Sequence, residues 1–325
     1  YSMVAYWQRG IRGLVLRRTG KDEVHMALEI PAQCNLCPRR CGANRASGAH
    51  GPCGGGPQVR AARAALHAWE EPCISGTRGS GTVFFSGCSL GCCYCQNYRI
   101  SAENFGKPLS VPQLAAIFLR LQAQGAHNIN LVTATHYAPW VTAALDEARA
   151  QGLRLPVVYN TGGYETEQTV RALAPYVDIW LTDMKYVSSA LSGEYSAAPD
   201  YFAVAAPALR QMLAQAGPPV FGADGLLQRG VIVRHLALPG ALHDSLAVLR
   251  FLAGLGPQNF LFSAMSQYTP FYRAAQHKAL SRRISTYEYR TVVNEAVRLG
   301  LTNGYMQEKS SAKEEYTPPF DLEGV

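Results

Sequence analysis

The sequence predicts an α/β protein in which six strand-then-helix units form a parallel barrel or partial barrel. From about residue 81, short apolar runs typical of strands buried on both faces alternate with amphipathic helical segments. Apolar residues make up 48% of the 325 residues and charged residues only 16%, which is enough apolar content to bury a sizeable core. A doubly wound open sheet has the same local pattern and is the alternative architecture.

Six apolar runs are the strand candidates. They cover residues 82–88, 128–133, 155–160, 178–184, 230–238 and 259–267. Because the carboxyl ends of parallel strands share one edge, chemistry is expected there. The polar or thiol-bearing residues at those ends are Cys88, Thr133, Thr135, His136, Asn160, Asp183, Lys185, Arg234, His235 and Gln267.

Helices are expected between the strands. Ser110 and Gln113 form a start signal ahead of an apolar stripe, and Ser285 with Glu288 forms another for a last helix that Gly300 closes. The other helices are predicted over 139–151, 166–174 and 200–215, and over a leucine-striped segment that ends at Gly256.

The hydropathy and charge patterns indicate where the protein is located and which kinds of partner it binds. No apolar run approaches the roughly 20 residues of a membrane span, and the first residues lack the order of a signal peptide, so a cytoplasmic protein is expected. The net charge of +7 suits an acidic partner such as an electron-transfer protein. No run of Lys and Arg is dense enough to favour nucleic acid.

All nine cysteines lie before residue 96. Short spacings in a chain without a signal sequence indicate metal ligation in a reducing compartment. We therefore expect a Cys-rich metal-binding extension over residues 1–75, a barrel over 76–270, and a C-terminal helix with a surface tail over 271–325. Residues 26–80 show no lasting periodicity and are expected to be irregular.

Cys88, Cys92 and Cys95 follow directly after the first predicted strand in a C-x3-C-x2-C loop. Three thiolates in a tight loop can bind three corners of a [4Fe-4S] cluster and leave the fourth iron open to a small ligand. In this spacing the open iron suits the amino and carboxylate groups of S-adenosylmethionine (SAM). A structural zinc loop is the alternative, and the adjacent Cys93 is interpreted as a bystander because it would alter the spacing.

A second group of thiols comprises Cys34, Cys37, Cys41 and Cys53. Four cysteines complete a tetrahedral set for structural Zn²⁺ or for an auxiliary Fe–S cluster. Three of these cysteines lie close together in sequence and the fourth follows after eleven intervening residues. This spacing slightly favours a cluster but does not exclude zinc. Because four ligands leave no open position, the expected role is structural or electron relay.

The cysteine loop resembles that of the radical SAM superfamily, which places a CxxxCxxC loop in a partial (β/α)6 barrel. Within it, Gly79 to Cys88, Cys95 to Tyr98 and the segments 34–42, 70–76, 234–240 and 318–321 resemble the pyruvate formate-lyase activating enzymes, in particular their PflX-type members. The resemblance implies a [4Fe-4S] cluster, SAM and a 5′-deoxyadenosyl radical. It also implies a protein or peptide substrate and a flavodoxin or ferredoxin as electron donor.

Roles are carried over residue by residue. Asp183 and Lys185 match an Asp-x-Lys pair that serves the polar groups of SAM, and Asn160 and Arg234 match residues near the same site. The remaining matches are Tyr94 against the adenine and Gln267 on the ribose side. The usual Gly-Gly-Glu after strand two is replaced by residues 133–136, which leaves Thr133, Thr135 and backbone oxygens as candidates to hold the amino group of SAM.

Each assignment has a plain alternative. Asp183 and Lys185 can form a barrel salt bridge, Arg234 can pair with Asp178, and Asn160 can cap a turn. His136 and His235 are more often satisfied structural histidines. Glu70 and Glu71 can line the substrate entrance, although a solvated acidic turn is the default. For the whole chain, the competing functions are radical modification of a small molecule and a zinc-stabilised module that binds nucleic acid or protein.

Overall fold

The computed structural model describes residues 16–18, 24–26, 28–307 and 317–325. Its strands are β1 (Leu16–Arg18), β2 (Val24–Met26), β3 (Val59–His67), β4 (Ser80–Phe85), β5 (Lys107–Leu109), β6 (Ile129–Val132), β7 (Val157–Thr161), β8 (Ile179–Asp183), β9 (Val220–Phe221), β10 (Leu227–Leu236), β11 (Leu261–Met265) and β12 (Gly304–Met306). Its α-helices are α1 (Pro72–Ser75), α2 (Tyr98–Ser101), α3 (Val111–Ala123), α4 (Ala138–Ala150), α5 (Glu167–Leu173), α6 (Ser189–Ser196), α7 (Tyr201–Ala216), α8 (Leu242–Ala253) and α9 (Thr286–Arg298).

One large sheet organises the described chain. Its strands run in the order β12-β11-β10-β8-β7-β6-β4-β3-β5, and neighbours from β4 to β12 pair in parallel. β3 pairs antiparallel with β4, and β5 pairs antiparallel with β3. The predicted α/β class with a mostly parallel sheet is confirmed, and the six predicted strands correspond to β4, β6, β7, β8, β10 and β11.

Burial explains why these segments form parallel strands. Every residue of β4, β6, β7 and β11 is buried. Strands covered on both faces need apolar side chains at successive positions rather than at alternate ones. The parallel directions bring the carboxyl ends of these strands to one edge, where the candidate polar residues lie.

The helix signals also correspond to the structure. Ser110 and Ser285 each accept the backbone N–H three residues later, and the Gln113 and Glu288 side chains complete both capping boxes. The fifth predicted helix is α8, which ends at Ala253 rather than at Gly256. The sequence prediction did not include α6, which Ser188 caps.

A short segment fills the interior of the partial barrel. Cys73 and Ile74 of α1 pack against inward-facing residues near the starts of the strands, namely Val158, Ile179, Leu181, Leu227, Ile232 and Leu261. Asn128 donates to the carbonyl oxygen of Ile74 across 2.8 Å and holds the segment in place. Residues 70–76, which we call the plug, therefore connect the barrel interior to the edge where the strands end.

The expectation that residues 26–80 are irregular is wrong in part. Residues 59–67 form β3, which pairs with β4 along six positions. The chain end is also tied to this strand, because Leu322 N–H donates to Ala62 and Ala64 N–H donates to Glu323. Phe320 is buried against Phe84, so residues 317–325 are held against the sheet.

The division of the chain at residues 75 and 270 stays a prediction. Within the described residues, no helix combines the length and the apolar character that crossing a membrane requires.

Candidate active site

A cavity of about 330 Å³ lies at the carboxyl ends of the parallel strands. Its wall includes five predicted site residues at strand ends, Val132 beside them, and two of the loop cysteines. Those cysteines are Cys92 and Cys95, and the predicted residues are Asn160, Asp183, Lys185, Arg234 and Gln267. The placement agrees with the rule that sites form where parallel strands end.

The cysteine loop begins three residues after β4. Each sulfur of the loop has one hydrogen-bonding partner: the N–H of Leu90 donates to Cys88 Sγ across 3.4 Å, and Ser101 Oγ donates to Cys95 Sγ across 3.2 Å. Cys92 Sγ lies 3.0 Å from Ser196 Oγ. Hydrogen bonds to sulfur are among the means by which proteins tune iron–sulfur clusters.

The three thiols lie within electrostatic reach of one another. Burial, and then the neighbouring thiol of Cys92, raise the pKa values of Cys88 and Cys95, and the cation of Lys185 opposes both shifts. Within the described part of the chain, no three Cys, His, Asp or Glu side chains converge on a point that can hold a single metal ion. Three cysteine sulfurs in one loop are the donor type that iron–sulfur clusters require, so the residues present fit a [4Fe-4S] cluster.

Arg234 stands at the centre of the polar network. Its guanidinium donates from Nε to Asp183 Oδ1 across 2.9 Å, from Nη2 to Asn160 Oδ1 across 2.7 Å, and from Nη1 to Glu70 Oε2 across 3.3 Å. Lys185 Nζ donates to the other oxygen of Asp183 across 2.6 Å. Arg234 therefore pairs with Asp183 and not with Asp178, whose carboxylate accepts the N–H of Val157.

The pKa values follow from these contacts. Burial alone would raise the pKa of Asp183, but Lys185 and Arg234 outweigh it and hold that pKa below its usual value. The same contacts raise the pKa of Lys185 and of Arg234 although burial opposes both shifts. All three groups are therefore charged at neutral pH.

The plug supplies two carboxylates that sequence reasoning assigned to a solvated turn. Glu70 is only 9% exposed and accepts from Asn130 across 3.0 Å and from Asn160 across 3.1 Å, besides Arg234. Glu71 is also buried, and both line the cavity. The two residues precede the apolar pair of α1, and that order of acidic and then apolar residues was the available signal.

Tyr94 and Gln267 lie on the cavity wall as predicted. The hydroxyl of Tyr94 is 2.6 Å from that of Tyr186, and its ring meets Tyr268 edge to face. Gln267 accepts from Gln307 Nε2 across 3.1 Å. Contacts with Tyr186 and Tyr268 therefore hold the side chain of Tyr94, and a hydrogen bond from Gln307 holds that of Gln267.

Thr133 and Thr135 are not part of the cavity wall. Thr135 donates to Glu165 across 2.6 Å, Thr161 donates to the same carboxylate oxygen, and Tyr159 donates to Thr135. This buried cluster lies behind the strand ends, and burial raises the pKa of Glu165 to about 7. Thr135 therefore has a structural hydrogen bond, and the contact of Thr133 and Thr135 with the amino group of SAM stays a prediction.

The two strand-end histidines are buried internal residues, and among the described residues only Nδ1 of His136 lacks a hydrogen-bonding partner on these two rings. His136 Nε2 pairs with the carbonyl of Ser86 at 2.7 Å, and His235 pairs with Met184 O at 2.8 Å and Ser245 Oγ at 3.0 Å. Burial lowers the pKa of each to about 4, so both are neutral at physiological pH. The structural alternative is the right one for these two positions.

Cys73 and Cys93 are buried thiols outside the cavity wall. Burial raises the pKa of each to about 11. Cys93 is held through its backbone, because its N–H donates to Tyr195 and its carbonyl accepts from Arg273. The interpretation of Cys93 as a bystander agrees with this placement.

The second group of cysteines packs beside the cysteine loop. The N–H of Cys88 donates to the carbonyl of Cys53 across 3.0 Å, Arg39 Nε donates to Ser89 O across 2.8 Å, and Asn104 donates to Gly54 O across 3.2 Å. Gly87 lies at this contact with φ +87°, and a Cβ there would overlap the carbonyl oxygen of Cys53.

Within the second group, Cys34, Cys37 and Cys53 are buried and Cys41 is exposed. A Cβ built on Gly51 would lie 3.2 Å from Cys41 Sγ and 3.4 Å from Cys53 Sγ, so both sulfurs flank this glycine. Burial raises the pKa of Cys37 to about 12, and the thiols of Cys53 and Cys34 add to the shift. The thiols of Cys34, Cys37 and Cys53 therefore lie within electrostatic reach of one another, and Cys41 lies beside Cys53.

Comparison with known proteins identifies the central part of the chain. A family model described as the radical SAM superfamily matches residues 82–189, from β4 to the first residue of α6. The resemblance to the superfamily is confirmed over this range. The uncharacterized protein MJ0674 of Methanocaldococcus jannaschii is 27% identical over 278 residues, which cover 82% of this chain and 74% of that protein.

Solved structures with a similar fold include native anSMEcpe with bound AdoMet, at a TM-score of 0.48 and 10% identity over 68% of this chain and 61% of that one. SuiB of Streptococcus suis bound to precursor peptide SuiA has a TM-score of 0.42 and 12% identity, covering 68% of this chain and 46% of SuiB. Methylornithine synthase PylB has a TM-score of 0.44 and 11% identity, covering 67% and 68%.

Proposed function

We propose that this protein is a radical SAM enzyme in which Cys88, Cys92 and Cys95 hold a [4Fe-4S] cluster and SAM binds beside it in the cavity. The observation that carries the proposal is the meeting of this cysteine loop with Asp183 and Lys185 on one cavity. The match of residues 82–189 to the radical SAM superfamily supports it independently.

The bound cofactors would supply the difficult chemistry. A [4Fe-4S] cluster held by Cys88, Cys92 and Cys95 would supply the electron that cleaves a carbon–sulfur bond of bound SAM, and so the means to abstract hydrogen from a substrate. The protein contributes binding, orientation and exclusion of water from the cavity.

The charged side chains would orient SAM through complementary groups. Lys185 can donate to the SAM carboxylate while it stays paired with Asp183, and Asp183 remains an acceptor. Arg234 and Asn160 fix the carboxylate of Asp183 and the wall beside it. Tyr94 and Gln267, also on the wall, are proposed to contact the adenine and the ribose side.

The reaction is proposed to resemble that of the pyruvate formate-lyase activating enzymes, with hydrogen taken from a protein or peptide. This step rests on the likeness of the segments around Cys34, Glu70, Cys95 and Arg234 to the PflX-type members. The one-electron donor is proposed to be an acidic flavodoxin or ferredoxin, because opposite charge accelerates encounter with a chain of net charge +7.

Cys34, Cys37, Cys41 and Cys53 are proposed to hold a second metal centre, and an iron–sulfur cluster is favoured over zinc. The three-plus-one spacing of these cysteines supports the cluster, and Gly55 N–H, which donates to Cys53 Sγ across 3.4 Å, can stabilise a metal-bound thiolate. Total iron near eight per chain is expected after anaerobic reconstitution. Four irons plus one zinc would identify a structural zinc site.

The proposed function is tested by product formation. Reconstituted protein, SAM and dithionite should yield 5′-deoxyadenosine, detected by liquid chromatography and mass spectrometry. Cys92→Ala should yield none, because one cluster ligand is removed. Cys93→Ala is the matched control and should retain the activity, since Cys93 is buried outside the cavity wall. Activity that survives Cys92→Ala, or none in the unchanged protein, would refute the function.

A further inference from the structure

The plug directs two adjacent carboxylates toward the cavity, and they differ in how well they are paired. Glu70 has partners on both oxygens: Asn130 and Asn160 donate to Oε1, and Arg234 donates to Oε2. Among the described residues, Oε2 of Glu71 has no hydrogen-bonding partner although the residue is nine-tenths buried. A buried carboxylate oxygen without a donor is costly, typically by about 1–3 kcal/mol or more.

Arg234 does not neutralise Glu71 by direct pairing. All three donor nitrogens of its guanidinium are engaged, with Asp183, Asn160 and Glu70. In the described part of the chain, the carboxylates of the cavity wall are Glu70, Glu71 and Asp183, and its cations are Lys185 and Arg234. When all five of these groups are ionised, the cavity wall therefore carries one more negative charge than positive charges.

The position of Glu71 separates it from the proposed SAM groups. Its nearest polar neighbours include Ser263 of β11, and it lies near Cys73 and Tyr305 on the side of the cavity formed by β11 and β12. The cluster thiols interact instead with Lys185. Arg234 connects the two groups of residues, because it pairs with Asp183 and also acts electrostatically on Glu71.

The surrounding wall suits an organic cation. Tyr268 and Tyr305, with Trp69 and His67, contribute aromatic rings to the cavity. Aromatic faces attract ammonium and guanidinium groups, and the attraction grows when the cation is desolvated. The cavity has a volume of about 330 Å³ and would also hold SAM, so the space beside Glu71 suits one side chain or a small amine better than a folded segment.

We propose that Glu71 binds a positively charged group, an ammonium or a guanidinium, of the molecule from which hydrogen is abstracted. This assignment rests on the proposed function, whose substrate class it names. The substrate is then a cationic side chain of a peptide or a small organic amine. Glu71 binds the charged end and holds the carbon chain of the substrate against the aromatic wall.

The protonation of Glu71 supports the same ligand. Burial raises the pKa of Glu71, and Arg234 only partly opposes the shift. A bound ammonium favours the carboxylate and would lower this raised pKa again. Binding of a cation should release a proton from the protein, which gives a signal separate from catalysis.

Isothermal titration calorimetry on the cluster-loaded, SAM-bound protein tests the proposal with a matched pair of probes, pentylammonium and pentanol. The ammonium should bind at least about tenfold more tightly, because a hydrogen bond to a charged group contributes about 1.5–3 kcal/mol. Titrations in buffers of different ionisation enthalpy should show proton release on binding.

Glu71→Gln should abolish both the preference for the ammonium and the proton release. Glu103→Gln, at an exposed position, is the matched control and should change neither signal. If Glu71→Gln does not fold, the two probes still test the unchanged protein.

Equal affinity for the two probes, or a preference that survives Glu71→Gln, would overturn the proposal. Loss of SAM affinity in Glu71→Gln would overturn it too, because the cation would then be the amino group of SAM. Failure of the unchanged protein to form 5′-deoxyadenosine would instead refute the proposed function, so the two failures are distinguishable.

Discussion

Arg234 and Asp183 lie directly opposite each other on neighbouring parallel strands, and the guanidinium Nε meets Oδ1 across 2.9 Å. The pair joins β10 to β8 at the edge where the cavity lies. Because Asp183 also accepts from Lys185 and Arg234 also donates to Asn160 and Glu70, one ion pair connects the strand ends to the plug.

Replacement of Arg234 should be strongly destabilising. Arg234→Ala would leave two buried carboxylates, those of Glu70 and Asp183, short of a partner. Breaking a buried ion pair by removing one member typically costs about 3–5 kcal/mol. The free energy of unfolding, measured by urea denaturation, should fall by that order. Arg250→Ala, whose side chain is 61% exposed, is the control and should leave the midpoint unchanged.

A stability loss in Arg234→Ala no greater than that of the exposed control would contradict the buried network. A large loss of stability can also leave Arg234→Ala insoluble, so that the variant cannot be purified in folded form. In that event, Arg234→Lys, which keeps the charge but loses the forked geometry, should show an intermediate loss.

Lys185 should affect SAM affinity more than cluster content. Lys185→Met keeps the Asp183–Arg234 pair and removes one charged donor from the cavity wall. The dissociation constant for SAM should rise by roughly 10–100-fold, the value of one hydrogen bond to a charged group. Iron per chain should stay constant. Lys278→Met, at an exposed position, is the control, and an unchanged SAM affinity in Lys185→Met would remove Lys185 from the site.

Gly87 should be essential for the contact between the two cysteine segments. Gly87→Ala would force a Cβ onto the carbonyl oxygen of Cys53, in a backbone conformation with φ +87°. Both segments should separate, and iron per chain and the melting temperature should fall. Gly152→Ala is a matched control, since its φ is +105° and nothing lies within 4 Å of the added Cβ.

The Gly152→Ala control separates the effect of backbone strain from the effect of steric overlap with a neighbouring residue. Gly152→Ala should cost about 1–2 kcal/mol, the price of a left-handed conformation for a residue with a side chain, and leave iron content unchanged. Equal losses of iron in both variants would show that the Cys53–Cys88 contact does not support the cluster loop.

Glu165 should make stability depend on pH. Its pKa is raised by burial to about 7 in the folded protein, from the ordinary value of 4.5. Because the folded state holds the proton more tightly, stability is highest below pH 4.5 and falls by about 3 kcal/mol as pH rises to 7. Above pH 7 this contribution no longer changes.

Glu165→Gln should remove the loss of stability that accompanies the rise in pH. The difference in unfolding free energy between the unchanged protein and the variant, from urea denaturation at pH 5 and pH 8, should therefore shift in favour of the variant at pH 8. Glu167→Gln, at an exposed position, should show no such shift. A difference between the unchanged protein and Glu165→Gln that is the same at both pH values would contradict the assigned pKa.

The sequence predicts the sheet well because its strands are buried on both faces. The apolar runs mark the six strands β4, β6, β7, β8, β10 and β11, and the two capping boxes mark α3 and α9. β3 was missed because its apolar residues are mainly alanines among three charged or polar positions, as in Arg60, Arg63 and His67, which carry a weak strand signal.

The site was predictable where a residue sits at the end of a parallel strand, as Asn160, Asp183 and Arg234 do. Glu70 and Glu71 were not, because their burial follows from the apolar residues after them entering the barrel. Local pattern cannot distinguish such a plug from an exposed acidic turn. The same limit applies to Thr135, whose hydroxyl pairs with Glu165, thirty residues further along the chain.

The central claim is that three cysteines hold a cluster whose remaining iron binds SAM. Electron–nuclear double resonance on the reduced, reconstituted protein with SAM labelled by ¹⁵N at the amino group tests it most directly. The account predicts a hyperfine coupling between the cluster and that nitrogen, which is lost in Cys92→Ala. No coupling to the label, together with a fourth ligand from the polypeptide, would contradict it.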